Sequence, residues 1–202
     1  MLSTAIGVGA LILASCSPMR DQPSVSGTQQ TSSSAVSTGR TSGDGGESLP
    51  KRPEELKVDG IDPCKLLTES QQKELGTDQA PRLNADGADS LGNPLCGYRK
   101  VEGTPRYGYS VSLVPQEGAD VWLKEKRNAE VKVLNVGGFG AVETRLPGDQ
   151  DISCNVVVDV AEGQSLDMQF TLYTAGAIPL EQMCANARHG AELAVQTLQT
   201  LK

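Results

Sequence analysis

Cys154-Asn155-Val156-Val157-Val158-Asp159-Val160, then Glu162-Gly163, then Leu166-Asp167-Met168-Gln169-Phe170-Thr171-Leu172 is the stretch that decides the fold. Cys154, Val156, Val158 and Val160 recur at every second position, as do Leu166, Met168, Phe170 and Leu172. A period of two places those side chains on one face of a strand. Glu162-Gly163 between the two runs predicts a hairpin turn. Two antiparallel strands with a shared apolar face follow.

Upstream, the same reading predicts a strand from about Ala141 to Leu146, preceded by a turn at Gly137-Gly138-Phe139-Gly140. Val131, Val133 and Asn135 face one way on a further strand, with Lys132 and Leu134 on the other side. Asp120 to Asn128 predicts a polar surface helix. Tyr107, Tyr109, Val111 and Leu113 alternate with Gly108, Ser110 and Ser112 before Pro115 ends the strand. Leu95 to Lys100 is a short strand carrying Cys96, and Asn84 to Pro94 is a polar loop. Asp62-Pro63-Cys64 starts a helix, because Asp caps and Pro is tolerated in the first turn. Thr68 and Gln71 form a capping-box pattern, and Gly76 is placed to end that second short helix.

Downstream of the hairpin, Leu180, Met183, Cys184, Ala187, Ala191, Ala194, Leu198 and Leu201 recur at steps of three and four. They predict one long amphipathic helix after Pro179. A one-sided apolar sheet needs cover, and the terminal helices supply it. The expected fold is therefore α+β: a single antiparallel sheet with N- and C-terminal helices packed on one face. Aromatic residues are scarce, so Val, Leu and Ala must supply most of the core.

Beyond the domain, residues 1–15 carry no charged side chain and end in Leu13-Ala14-Ser15 before Cys16. That is too short to span a bilayer as a helix, which takes about 20 residues, but suits a signal-peptide core. Small residues immediately before a cysteine match the bacterial lipobox, which makes Cys16 the expected lipidation site. Met1-Leu2-Ser3-Thr4 lacks Lys or Arg, so a basic leader is expected upstream of Met1. Residues 16–57 form the expected tether, rich in Ser, Thr, Gly and Pro through Pro50. Residues 58–202 are the globular domain.

Four cysteines remain for that exported domain: Cys64, Cys96, Cys154 and Cys184. An even count there implies two disulfides with three possible connectivities. Pairing helix with helix and strand with strand gives Cys64–Cys184 and Cys96–Cys154 as the expectation. No C-x-x-C is present and the one histidine, His189, is near only Cys184, so no metal site is expected.

With this framework in place, the chain resembles family 3558 of domains of unknown function, actinobacterial cell-envelope lipoproteins. The resemblance rests on Asp62-Pro63-Cys64-Lys65-Leu66-Leu67-Thr68 with Gly76, Leu95-Cys96-Gly97-Tyr98, Gly137-Gly138-Phe139-Gly140, Cys154-Asn155-Val156-Val157-Val158, and Cys184. Tyr98 stands where the family more usually carries Trp. The resemblance implies an envelope location and a cysteine framework, and no activity.

The charge balance narrows the partners. From Ser17 to Lys57 five basic residues meet five acidic ones, leaving 20 Asp/Glu against 13 Lys/Arg in the domain. An acidic domain is a poor match for nucleic acid or an anionic lipid surface, so attachment falls to the acyl chains. No G-x-S-x-G, H-E-x-x-H or phosphate-loop motif is present, and no catalytic residue or cofactor is expected. His189 is expected on the surface. Asn84, Asp86 and Asp89, like Asp149 and Asp151, lack EF-hand spacing and are expected to be solvated loop acids. Trp122, the one tryptophan, is either a core anchor or a contact residue for a partner. The expected function is a lipid-anchored, non-enzymatic interaction or sensing module with an unknown envelope protein partner. The alternative is a carrier of a small molecule or lipid, its pocket lined by Leu166–Leu172 and the last helix.

Overall fold

A computed structural model describes residues 48–85, 91–124, 127–145, 148 and 152–201. Cys16, Asp86, Asp89, Asp149 and Asp151 lie outside them. In chain order the elements are a 3-10 turn at Pro63–Lys65, α1 (Glu69–Glu74), β1 (Arg82–Asn84), β2 (Leu95–Lys100), β3 (Tyr107–Val114) and α2 (Val121–Lys124). There follow β4 (Glu130–Val136), β5 (Phe139–Arg145), β6 (Ser153–Ala161), β7 (Gln164–Leu172) and α3 (Leu180–Thr200). The strands form one antiparallel seven-stranded sheet in the order β1-β2-β3-β7-β6-β5-β4. After β3 the chain crosses to the far edge, meanders back through β4, β5 and β6, and closes the sheet by seating β7 against β3.

The alternation read from the sequence sets the two faces. Tyr109, Val111 and Leu113 of β3, Leu166 to Leu172 of β7 and Cys154 to Val160 of β6 turn their apolar set inward. Against them lies α3, whose Met183, Ala187, Ala191 and Ala194 are fully buried. Gly190 permits this close approach: a Cβ there would lie 3.1 Å from the Tyr109 ring and 3.3 Å from Met168 Sδ. The few aromatics are concentrated here, with Phe170 5.1 Å from Tyr109 and 5.3 Å from Tyr107 between ring centroids.

Local signals around the sheet behave as their chemistry requires. Asp62 accepts the Cys64 N–H at 2.9 Å. Thr68 and Gln71 make both bonds of the capping box, and Gly76 adopts φ +69°. Gly137 and Gly138, at φ +58° and +93°, make a two-residue turn that pairs Val136 with Phe139. Two positive φ values in succession match the right-handed twist of the flanking strands. Phe139 therefore begins β5 as a buried residue rather than belonging to the turn.

Three expectations are corrected. The disulfides are Cys64–Cys96 and Cys154–Cys184, with Cα separations of 5.0 and 5.1 Å, not Cys64–Cys184 and Cys96–Cys154. The strand order explains why. β2 and β6 are three strand spacings apart, about 14 Å, whereas a disulfide needs Cα atoms within roughly 7 Å. Each strand cysteine instead bonds the helical segment lying over its own strand. Second, residues 48–57 are not all tether. Leu56 is buried and donates its N–H to Val160 O at 2.8 Å, so the folded unit includes this strap. Third, α2 is one turn rather than a helix to Asn128. The Arg127 guanidinium stacks 4.6 Å from the Trp122 ring centroid and forks onto Glu117 at 2.9 and 3.0 Å. A continued helix would carry residue 127 about 140° around from residue 122.

A further closure was invisible in the sequence. The Asp78 carboxylate accepts the N–H groups of Val101 and Glu102 at 2.8–3.2 Å, tying the segment after α1 to the end of β2. The bonds from Val101 and Glu102 hold this carboxyl below the usual Asp range. An acid with a depressed folded pKa stabilises the fold above its unfolded value, about 3.9. That contribution is lost as the pH falls through the folded value. In Asp78→Asn the acid limb of the stability profile is expected to flatten, as followed by denaturation between pH 2 and 6. An unchanged limb would refute the assignment.

Candidate functional site

The outer face of the sheet, opposite α3, divides into two halves. Over β5 and β6, Val142, Val157 and Ala119 form a second small core, with Leu49, Trp122, Leu123, Val131 and Val133 packed around it. Trp122 thus anchors the lid on this half of the sheet, and its ring also carries the Arg127 guanidinium.

The strap completes that lid. Pro50 O lies 2.8 Å from where a Gly140 Cβ would stand, so the missing side chain lets the strap cross β5. Arg52 then bonds Asp159 at 2.6 Å, Glu162 at 2.8 Å and Glu55 at 2.9 Å. A cleft of about 560 Å³ lies between the strap, α2 and the β6–β7 turn, lined by Leu49, Pro50, Leu123 and these charged groups. Burial pushes the Asp159 carboxyl above the usual range, with Arg52 opposing the shift. Desolvation would lower the Arg52 pKa, but its hydrogen bonds to Glu162, Asp159 and Glu55 outweigh it. Each of the three guanidinium nitrogens donates to a carboxylate, so Arg52 latches the strap to β6 and the β6–β7 turn.

Removing the latch has a signed pH signature. Arg52→Ala leaves Asp159, whose side chain is 8% exposed, without its cation, at a cost of about 1–3 kcal/mol near pH 7. Asp159 already has a raised folded pKa, so its ionisation opposes folding above that value, and the penalty fades as pH falls towards the unfolded value. The variant's deficit is therefore expected to shrink between pH 7 and 4. A constant deficit in denaturant melts would show that Arg52 acts through packing alone.

The other half of the outer face is polar. Ser110 of β3, Gln169 and Thr171 of β7, and Ser153 and Asn155 of β6 are all half-buried there. Gln169 Nε2 donates to Asn155 Oδ1 at 3.0 Å. Continuing outward, Ser110 faces Gly97, and Gly97 faces Arg82. A Cβ on Gly97 would meet only Arg82 O, at 3.9 Å. Here a second cleft of about 400 Å³ opens between Arg82, Gly97, Arg99 and Val101. The exposed Tyr173 overhangs Gly108, opposite Arg99: its hydroxyl lies 2.5 Å from where a Gly108 Cβ would be.

A third cleft, about 450 Å³, lies between the β4–β5 edge and the start of α3. Both of its arginines are paired, Arg188 with Glu143 at 3.2 Å and Arg145 with Glu130, and Lys132 and Glu181 also line it. Glu143 also lies beside Cys154 and Cys184. Those two sulfurs are bonded to each other, which removes the thiolates a metal would require. His189 Nε2 sits 2.9 Å from Glu74 on the half-exposed flank of α3, linking α3 to α1.

This polar half escaped sequence reading because its Ser, Thr, Asn and Gln residues come from three strands, β3, β6 and β7. The only local signal was that the residues between the apolar ones were Ser, Thr, Asn and Gln. Among the described residues no helix is long and apolar enough to cross a membrane.

No curated protein and no solved structure matches the chain. A family model described as a protein of unknown function, DUF3558, matches residues 11–197. With nearly its whole length covered, the chain belongs to the DUF3558 family.

Proposed function

We propose that this protein is a lipoprotein held by Cys16 to the extracytoplasmic face of the cell membrane. It works there as a non-enzymatic interaction module whose contact surface is the polar half of the outer sheet face. The observation that carries the reading is the contrast between the two halves of that face. One is sealed by Trp122, Leu49 and Leu123 over a small apolar core, while the other presents Ser110, Gln169 and Thr171 beside an open cleft. Hydroxyls and amides on rigid strands offer donors and acceptors at fixed spacing, and recognition of a polar partner needs that geometry. The carrier alternative draws less support, because Tyr109, Met168 and Gly190 meet in close contact where its pocket would lie.

Two readouts test the proposal. Cys16→Ala is expected to move the protein from the membrane fraction to the soluble one. A photo-crosslinking residue at Ser110 in intact cells is expected to capture an envelope component that the same residue at Lys73, exposed on α1, does not. Unchanged fractionation would sink the anchor, and equal capture at both positions would sink the contact surface.

A further inference from the structure

The arginines of this acidic domain fall into two groups. Arg52, Arg127, Arg145 and Arg188 each hold a carboxylate. Arg82, Arg99 and Arg106 are exposed and hold none among the described residues. Two of the three line one cleft. Arg82 faces Gly97 across the β1–β2 ladder, and Arg99 follows Gly97 by two residues on the same face. Diagonal neighbours of this kind lie roughly 7–8 Å apart, within reach of two long side chains. Arg106 directly precedes β3, and its carbonyl accepts the N–H of Tyr173 at 2.9 Å.

Such a grouping carries an electrostatic cost. Like charges on neighbouring strands repel, and a domain with an excess of acid has carboxylates with which to relieve it. One acid whose backbone bonds Arg99 is not used for that purpose. Asp78, whose N–H bonds Arg99 O, turns its side chain to the N–H groups of Val101 and Glu102 instead. Glycine at position 97, which lines the same cleft as both arginines, leaves its floor open. Among the described residues, the cleft has two cations without a carboxylate partner at its wall and no acid in its lining.

We infer that the Arg82–Gly97–Arg99 cleft binds a phosphate group. A guanidinium fork matches the oxygens of a carboxylate or a phosphate. Two arginines lining one cleft supply two positive charges, which balance a phosphate dianion and exceed what a single carboxylate requires. The open Gly97 floor leaves room for the tetrahedral group. The inference rests on the interaction-module reading and names the chemical class its contact surface recognises. The phosphate is either free or the headgroup of a lipid, and the test separates the two.

The test uses the full chain with 15N-labelled arginine. Inorganic phosphate is titrated against chloride at matched ionic strength while the Nε–Hε signals are followed. Arg82 and Arg99 are expected to shift saturably with phosphate, while Arg52, Arg127, Arg145 and Arg188 stay in place. Arg82→Gln with Arg99→Gln is expected to weaken the apparent affinity at least about tenfold. Gly97→Val, which fills the floor without altering charge, is expected to weaken it as well. In a second arm, phosphatidylcholine vesicles with and without phosphatidylglycerol are added to the same sample. A shift specific to the phosphatidylglycerol vesicles assigns the site to a headgroup, and a response to inorganic phosphate alone assigns it to a free ligand. Equal shifts with chloride, a uniform response of every arginine, or unchanged binding in both variants would overturn the inference. The Ser110 cross-linking result reads the wider contact surface independently: its failure beside a saturable phosphate shift would retire the module reading and leave the phosphate site standing.

Discussion

Replacing Cys154 and Cys184 together by serine is expected to lower the unfolding free energy by about 3.5 kcal/mol. The two residues are 30 apart in sequence, and closing a loop of that length restricts the unfolded chain by about this amount in the chain-entropy model. The bond also fixes the start of α3 to β6, and α3 is the main cover of the inner face. The effect is therefore expected throughout the domain, as a cooperative shift in chemical denaturation. Non-reducing peptide mapping checks the premise: linked Cys64–Cys96 and Cys154–Cys184 fragments are expected. A Cys64–Cys184 fragment would contradict the strand order, because it requires those residues to approach across three strand spacings. A loss below about 1 kcal/mol in the double variant would mean that packing alone holds α3 in place.

Phe170→Ala is the second large effect, with an expected cost of about 3–5 kcal/mol. Phe170 is fully buried on β7, with the Tyr107 and Tyr109 rings against it. Truncation removes the apolar contact and leaves a cavity that α3 cannot easily close, since Gly190 already brings the helix against Tyr109 and Met168. The edge-to-face pair with Tyr109 adds about 0.5–1.5 kcal/mol to the burial term. Leu83→Ala is the internal comparison, because Leu83 is 55% exposed on the edge strand β1. Its expected change is within about 0.5 kcal/mol. Denaturant unfolding of the two variants side by side checks the contrast, and similar losses would mean that β7 is not central to the core.

The strands and their buried faces were legible because alternation is local. Each of Leu166, Met168, Phe170 and Leu172 announces its side from its immediate neighbours. The helix caps at Asp62 and Thr68 were legible for the same reason, since donor and acceptor lie within three residues. β1 was missed: three exposed residues, Arg82, Leu83 and Asn84, carry no periodic signal and are strand only because β2 pairs with them. The strap was missed because Arg52 finds Asp159 and Glu162 more than 100 residues away. Of the candidate site, Trp122 stood out as the single tryptophan, but its neighbours did not. Arg82 and Arg99 are ordinary charged residues until the β1–β2 register sets them on either side of Gly97.

By itself, then, the sequence determined the longer strands and the last helix, their inward faces, and the even cysteine count that two disulfides require. Each of these follows from chemistry within a few residues, or from a count. The tertiary structure alone decided that β7 would insert between β3 and β6, and everything non-local follows from that insertion. It separates β2 from β6, which dictates the cysteine pairing. It also aligns Ser110, Gln169 and Asn155 across three adjacent strands. A strand's face is written in its own alternation, but its neighbours are chosen by the burial of the whole sheet beneath α3.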